Sequence, residues 1–136
     1  MKIKFRYILK NIDGIFIEYY TLEEIEEMEF EDNHTIKNPH IEKIARNLFT
    51  GLLDKNGKEI YEGDIVEIYS YISEEGDKID KEIYEVKWFG DKDYPAFDFV
   101  GWEGDTNGLA YIYQSMEEDW KMEIIGNIYE DSHLLK

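Results

Sequence analysis

Two turn signals stand close together near the middle of the chain, Asp54-Lys55-Asn56-Gly57 and Glu62-Gly63-Asp64, and the pattern around them restricts the fold more than any other feature. Asn and Gly tolerate positive φ, so both segments reverse the chain. From there the pattern is β and stays β. Ile65-Val66-Glu67-Ile68-Tyr69 reads as a strand with mixed faces. Ile83 to Phe89 places Tyr84, Val86 and Trp88 on one face and Glu85 and Lys87 on the other, the period of a half-buried strand. Phe97 to Trp102 and Leu109 to Tyr113 are further strand candidates, and Ser73 to Asp80 reads as a charged, mobile loop. The last strand, Met122 to Tyr129, is interrupted by Gly126, which marks a bulge. Short strands at this spacing predict a mainly β fold, a small barrel-like domain or a strongly bent sheet.

The first third is different. Ile3, Phe5 and Tyr7 alternate with basic residues, Asn11-Ile12-Asp13-Gly14 signals a turn, and Ile15 to Tyr20 is a second β-rich run. Together they predict a hairpin. Thr21 and Glu24 have the spacing of a capping box, and Leu22, Ile25 and Met28 share a helical side, which predicts a short helix across 22–29. Residues 31–40 read as a loop. Ile41, Ile44 and Leu48 have helical spacing while Leu48-Phe49-Thr50 looks extended, and both readings stay open there. The expected division is an N-terminal hairpin and helical segment, 1–47, followed by an acidic β domain, 48–136, which can pack as one unit.

Charge narrows the function. Residues 1–50 hold ten acids and seven bases, net −3, and residues 51–136 hold twenty-two acids and eight bases, net −14. A surface of that sign repels phosphates, so direct nucleic-acid binding is not expected; an acidic face meeting a basic partner stays open, beside the expectation that the charge only keeps the protein soluble. No apolar run approaches the roughly 20 residues of a membrane span. Met1-Lys2-Ile3-Lys4-Phe5-Arg6 lacks the apolar core of a signal peptide, so the expected location is the host cytoplasm.

The string at 51–66, GLLDKNGKEIYEGDIV, resembles the YopX family, small proteins met mostly in bacteriophages and prophages. Thr50-Gly51-Leu52 with Asp54 to Val66 carries most of the likeness. Glu85-Val86-Lys87-Trp88 is similar to the family's middle strand and Ile124 to Glu130 to its closing segment, with Lys4-Phe5-Arg6 fitting weakly. The resemblance implies phage origin and a mainly β fold, but no established activity. A motif this rich in Gly, Asp and Asn is expected to be specific for structural reasons, since turn chemistry is dictated residue by residue.

No catalytic, cofactor-binding or metal residue can be assigned from the sequence. Glu103, Asp105, Asn107 and Gly108 mimic half a calcium loop, but Gln114 stands where a bidentate Glu is required, and Asp54 and Asn56 fail similarly with Gly63 in that position. His34, His40 and His133 are scattered, which argues against zinc. Without cysteine, and with Ser70, Ser73 and Ser115 outside any nucleophile elbow, nucleophilic catalysis has little to work with. Asp91/Asp93 and Glu117/Glu118/Asp119 are the clustering expected of thirty-two acids. Gly101, Gly104 and Gly108 lack the spacing and the lysine of a phosphate cradle. Trp88, Phe97, Phe99, Trp102, Tyr111, Tyr113 and Trp120 interleave with acids and could stack on sugars or form a protein interface, core packing being the fate expected of most. The leading expectation is a non-enzymatic accessory protein that binds another protein, with self-association as a homo-oligomer also expected. Beside it stands acidic mimicry of nucleic acid, which requires the nine acids of residues 98–131, set against Lys121 alone, to line one face.

Overall fold

A computed structural model describes residues 2–28, 35–90 and 96–136. The fold is mostly β, with a curled half-barrel sheet and few helices. Contacts divide the chain into two compact units, Met1–Gly51 and Leu52–Lys136.

In the first unit, β1 (Lys4–Asn11) and β2 (Gly14–Thr21) form the predicted hairpin, in unbroken register from Lys4↔Thr21 to Asn11↔Gly14. Asn11 Oδ1 accepts the Asp13 N–H at 2.8 Å inside the turn. Thr21 caps α1 (Leu22–Glu27): its hydroxyl accepts the Glu24 N–H at 3.1 Å, and the Glu24 carboxylate accepts the Thr21 N–H at 2.8 Å. Those bonds from Thr21 hold the Glu24 carboxyl below the ordinary range. Ile25 and Met28 pack onto Tyr7, Leu9 and Ile36.

The open question over residues 41–50 resolves as a strand, β3 (Glu42–Leu53), antiparallel to β1 on the side away from β2. The helical spacing of Ile41, Ile44 and Leu48 misleads because burial here follows a two-residue period, with Asn47 and Phe49 buried. Asn47 lies opposite Arg6, whose Nε and Nη2 both donate to Asn47 Oδ1, at 3.0 and 2.9 Å. A buried guanidinium is thereby partnered inside the sheet. β3 crosses the boundary between the units at Gly51, whose φ of 88° suits only glycine.

The second unit contains β4 (Glu59–Tyr61), β5 (Asp64–Tyr69), β6 (Tyr71–Ile72), β7 (Lys78–Ile79), β8 (Glu82–Trp88), β9 (Phe97–Phe99), α2 (Gly108–Gln114) and β10 (Lys121–Asn127). Its main sheet has the order β10-β5-β8-β9, and β4 is the hydrogen-bonded neighbour of β3. The core joins Ile60, Val66, Ile68, Val86, Phe99, Leu109, Ile112 and Met122. All six residues of β5 are buried, so a strand of mixed faces in the sequence is a central one in the fold. The expected bulge is present: β10 shifts register against β5 between Ile124 and Gly126. A Cβ at Gly126 would stand 2.6 Å from the Asp131 carboxylate, which accepts the Asn127 N–H at 3.1 Å.

Two readings are corrected. Leu109 to Tyr113 is helical, because Asn107 Oδ1 accepts the Ala110 N–H at 2.8 Å and caps α2, and Leu109 and Ile112 are buried three residues apart on one side. Within the stretch 73–80, the last residues pair back: Lys78 and Ile79 lie opposite Ile72 and Tyr71. The predicted strand from Phe97 is short, ending at Phe99. Residues 31–34 of the predicted loop, with His34, and the pair Asp91/Asp93 lie outside the described residues.

The motif at 54–64 is a set of carboxylate locks. Asp54 Oδ1 accepts from Asn56 N (2.8 Å) and Lys58 N (2.9 Å), closing the first turn, and Oδ2 accepts from Ile124 N at 3.0 Å, fastening that turn to β10. Asp64 Oδ2 accepts from Tyr61 N at 2.8 Å across the second turn, where Gly63 has φ 90°. Breaking a buried charged acceptor with three donors costs on the order of 3 kcal/mol. Asp54→Ala is therefore expected to lower the urea midpoint well beyond the exposed Lys58→Ala, and equal midpoints would contradict the lock. Gly126→Ala should cost roughly 1–3 kcal/mol by crowding Asp131.

Glu85 sits on β8 opposite Ile65, and burial raises its carboxyl pKa, with Glu62 adding to the shift against the opposing pull of Lys87. A carboxyl raised in the fold favours the folded state while protonated and loses that contribution as pH rises through its folded value. Glu85→Gln should thus raise the melting temperature at pH 7 relative to wild type, with the gain shrinking towards pH 4. A gain that grows on acidification would contradict the assignment.

Candidate functional site

Across β5 and β10, Glu67 faces Glu123 directly. Like charges in that position repel. Two lysines from outside the strands answer them. Lys78 on β7 donates to Glu67 Oε1 through a short hydrogen bond and lies 4.0 Å from Glu123 Oε2, while Lys55, from the turn that Asp54 closes, lies 3.7 Å from the same oxygen. Lys55 Nζ also donates to the Tyr69 hydroxyl at 2.8 Å. Both ammoniums sit over the Tyr69 ring, 5.6 and 5.0 Å from its centroid. The Tyr69 bond raises the pKa of Lys55 and the Glu67 bond that of Lys78, so both stay charged. Two cations and two anions cancel, which makes this cluster a brace rather than a source of charge or a nucleophile.

Lys55 and Tyr69 of the brace also line an open cleft of about 900 Å³. Ser70, Tyr71 and Ile72 from the start of the β6–β7 ribbon line it too, with Tyr113, Gln114, Met116, Glu117 and Glu118 from the end of α2 and just beyond, and with Leu53 and Lys121. Ser70 Oγ donates to Ile79 O at 3.1 Å and so helps fold the β6–β7 ribbon back. Tyr71, Ile72 and Tyr113 keep 58%, 54% and 40% of their surface exposed while lining the same cleft. The two lysines in the cleft are engaged, Lys55 as above and Lys121 with Met116 O at 2.7 Å. Glu117 and Glu118 are exposed and form no ion pair among the described residues.

The residues weighed from the sequence are scattered by the fold. Asn107 of the half calcium loop caps α2 and donates from Nδ2 to Phe97 O at 2.9 Å. Gly108 and Gly104 give room to an indole: a Cβ at either would come within 2.5 Å of Trp102 atoms. Asp54 and Asn56 belong to the turn already described. His40 and His133 lie in separate units, and no group of three or more metal-ligating side chains is found among the described residues. Ser115 Oγ donates back to Tyr111 O, and in the turn of Ser73 the Ser73 N–H donates to Asp77 O at 2.7 Å while Ser73 O accepts the Gly76 N–H at 2.9 Å. Phe99 is buried and stacks on Tyr84 at 4.9 Å, with Trp102 edge-on to Tyr84 at 5.7 Å. Burial, with the bond to Glu82, pushes the Tyr84 hydroxyl up to about 12. Trp88 and Phe97 meet edge-on, and Trp120 packs against the core. Of the aromatics weighed, Tyr113 alone lines the cleft, whereas Tyr71 and Ile72 lie between the strand read as ending at Tyr69 and the loop read from Ser73. A turn containing Gly76 between two short apolar runs was the available signal.

The side chains of four of the nine acids of residues 98–131 have partners. Asp98 accepts the Phe99 and Leu109 N–H groups, Glu123 belongs to the brace, Glu130 accepts from Asn127 Nδ2, and Asp131 from Asn127 N.

Comparison with known proteins adds the family. A search of curated proteins finds no match. Among solved structures, protein EF1440 from Enterococcus faecalis is similar at 23% identity, over 96% of this chain and 75% of that one, with a TM-score of 0.46. The family model described as YopX protein matches residues 4–136. From the short turns at 54–64 to the bulge at Gly126, the segments that carried the likeness are the ones that lock the second unit, and the chain belongs to the YopX family.

Proposed function

We propose that this chain is a non-enzymatic accessory protein that binds another protein through the cleft between the β6–β7 ribbon and the end of α2. One observation carries the reading: Tyr71, Ile72 and Tyr113 converge on a single open trough while more than a third of each remains exposed. Large apolar side chains held out of the core around one cleft have the composition of a protein interface. A catalytic reading has less support. The serine in the cleft spends its hydroxyl on Ile79 O and Asp80, the lysines are paired, and Tyr69 is held by an ammonium. The resemblance to phage and prophage proteins supports a setting in the cytoplasm of an infected bacterium.

The test is site-specific photocrosslinking in bacterial cells. A benzophenone amino acid at Tyr113 should give a discrete crosslinked product that is lost on adding Ile72→Asp, while the same probe at Tyr19, exposed in the first unit, should not give that product. A Tyr113 probe that yields nothing, or a product indifferent to Ile72→Asp, would count against the cleft as the binding surface.

A further inference from the structure

We propose that the first unit holds a binding site for a small organic anion, a carboxylate or phosphate group carried on an apolar body about as large as an aromatic ring. The site is a pocket of about 400 Å³ that lies wholly within that unit and shares no residue with the cleft. Tyr7, Ile25, Ile36 and Ala45 give it an apolar lining. Its charged lining has one sign: Lys37 from the 3-10 turn Thr35–Lys37, with Lys43 and Arg46 from β3.

An irregularity in β3 gathers two of these cations. Arg46 lies opposite Tyr7, and in an undisturbed strand a residue three positions away would point to the other face. The register slips between Ile8 and Leu9, so that Ile44 is passed over and Lys43 falls opposite Leu9, on the face that Leu9 shares with Tyr7. A bulge re-aims side chains in this way. The charges so gathered are not cancelled. No carboxylate lines the pocket, and the ion pairs found among the described residues involve none of its three cations. Lys37 Nζ donates to Met28 O at 3.0 Å, and the Arg46 guanidinium lies 5.0 Å from the centroid of the Phe5 ring; both partners are neutral and leave the charge in place. Glu18 shares that face of the hairpin, but it stands on the β2 side of Tyr7 and accepts the Tyr20 hydroxyl at 2.7 Å.

A guanidinium beside an ammonium suits a carboxylate or a phosphate, and the apolar lining suits the body that carries it. The ligand has one anionic group rather than many. The adjoining α1 exposes Glu23, Glu24, Glu26 and Glu27, and the chain carries −17, so every further charge of a nucleic acid or an acidic polypeptide would be repelled.

The test is a titration of the isotope-labelled full chain followed by amide chemical shifts, with phenyl phosphate, benzoate, inorganic phosphate and benzylamine as probes. About ten non-hydrogen atoms allow a Kd on the order of 1 mM. Phenyl phosphate, benzoate or both should shift the amides around Ile36 and Arg46 saturably near that value, the tighter of the two identifying the head group. Inorganic phosphate should bind at least about five-fold more weakly for want of an apolar body, and benzylamine should not saturate. Lys43→Gln/Arg46→Gln should weaken anion binding about ten-fold or more. Lys2→Gln/Lys10→Gln, the same change in net charge on exposed residues of the first unit outside the pocket, should change it less than about two-fold. Should the first double variant fail to fold, Lys43→Gln alone, at an exposed position, should weaken binding about three-fold. Equal losses from the two double variants would overturn the proposal, because the attraction would then belong to the chain as a whole. Benzylamine binding as tightly as the anions would overturn it too, as would the absence of any saturable shift up to roughly 20 mM. Inorganic phosphate matching phenyl phosphate would overturn the apolar body of the ligand.

Discussion

The carboxylate of Asp54 is the constraint from which the second unit is built. Its two oxygens take three backbone donors, two from the turn that follows it and one from Ile124, seventy residues away in sequence. That turn presents the Lys55 N–H to Met122 O at 2.9 Å, so a hairpin loop supplies hydrogen bonds to the outer edge of β10. The edge of a sheet is a row of unsatisfied donors and acceptors. Here one side chain and one loop cover it, and the same loop delivers Lys55 to the glutamates on β5 and β10. Fold and cleft are thus joined at adjacent residues.

The parts of this architecture that were legible in the sequence are those whose cause is local. A hairpin turn at Asn11–Gly14, a capping box at Thr21 and Glu24, glycine at positive φ in the turns and a bulge at Gly126 each follow from a few neighbouring residues. The parts that were not legible depend on distant partners. Residues 42–53 have side chains compatible with a helix, and only the neighbouring β1, with Arg6 needing Asn47, selects the strand. Leu109 to Tyr113 alternates like a strand, yet the cap from Asn107 and the burial of Leu109 with Ile112 decide for a helix. The cleft was hidden for the same reason: its lining comes from a turn, a ribbon and a helix end that are far apart in sequence.

The recognisable motif illustrates why a specific sequence need not mark an active site. Asp54, Gly57, Gly63 and Asp64 are each tied to a turn geometry or a backbone donor, so replacing any of them disturbs folding before it could disturb binding. The cleft residues Tyr71, Ile72 and Tyr113 stand outside the segments that carried the family likeness. Asp54, Lys55 and Asn56 of the motif line the same cleft, so the turn and the cleft share residues while its exposed aromatic side chains come from elsewhere.

These carboxylate contacts also govern how the acidic charge should be read. A net charge of −17 suggests a uniformly negative exterior, but many of the carboxylates work as internal acceptors: Asp54, Asp64, Asp98 and Asp131 hold backbone N–H groups, and Glu67 and Glu123 are neutralised by lysine. A carboxylate that accepts a backbone N–H keeps its negative charge while its position is fixed by the fold. The cleft itself carries both signs, Glu117 and Glu118 with Lys55 and Lys121, so the summed charge of the chain is not the charge a surface patch presents.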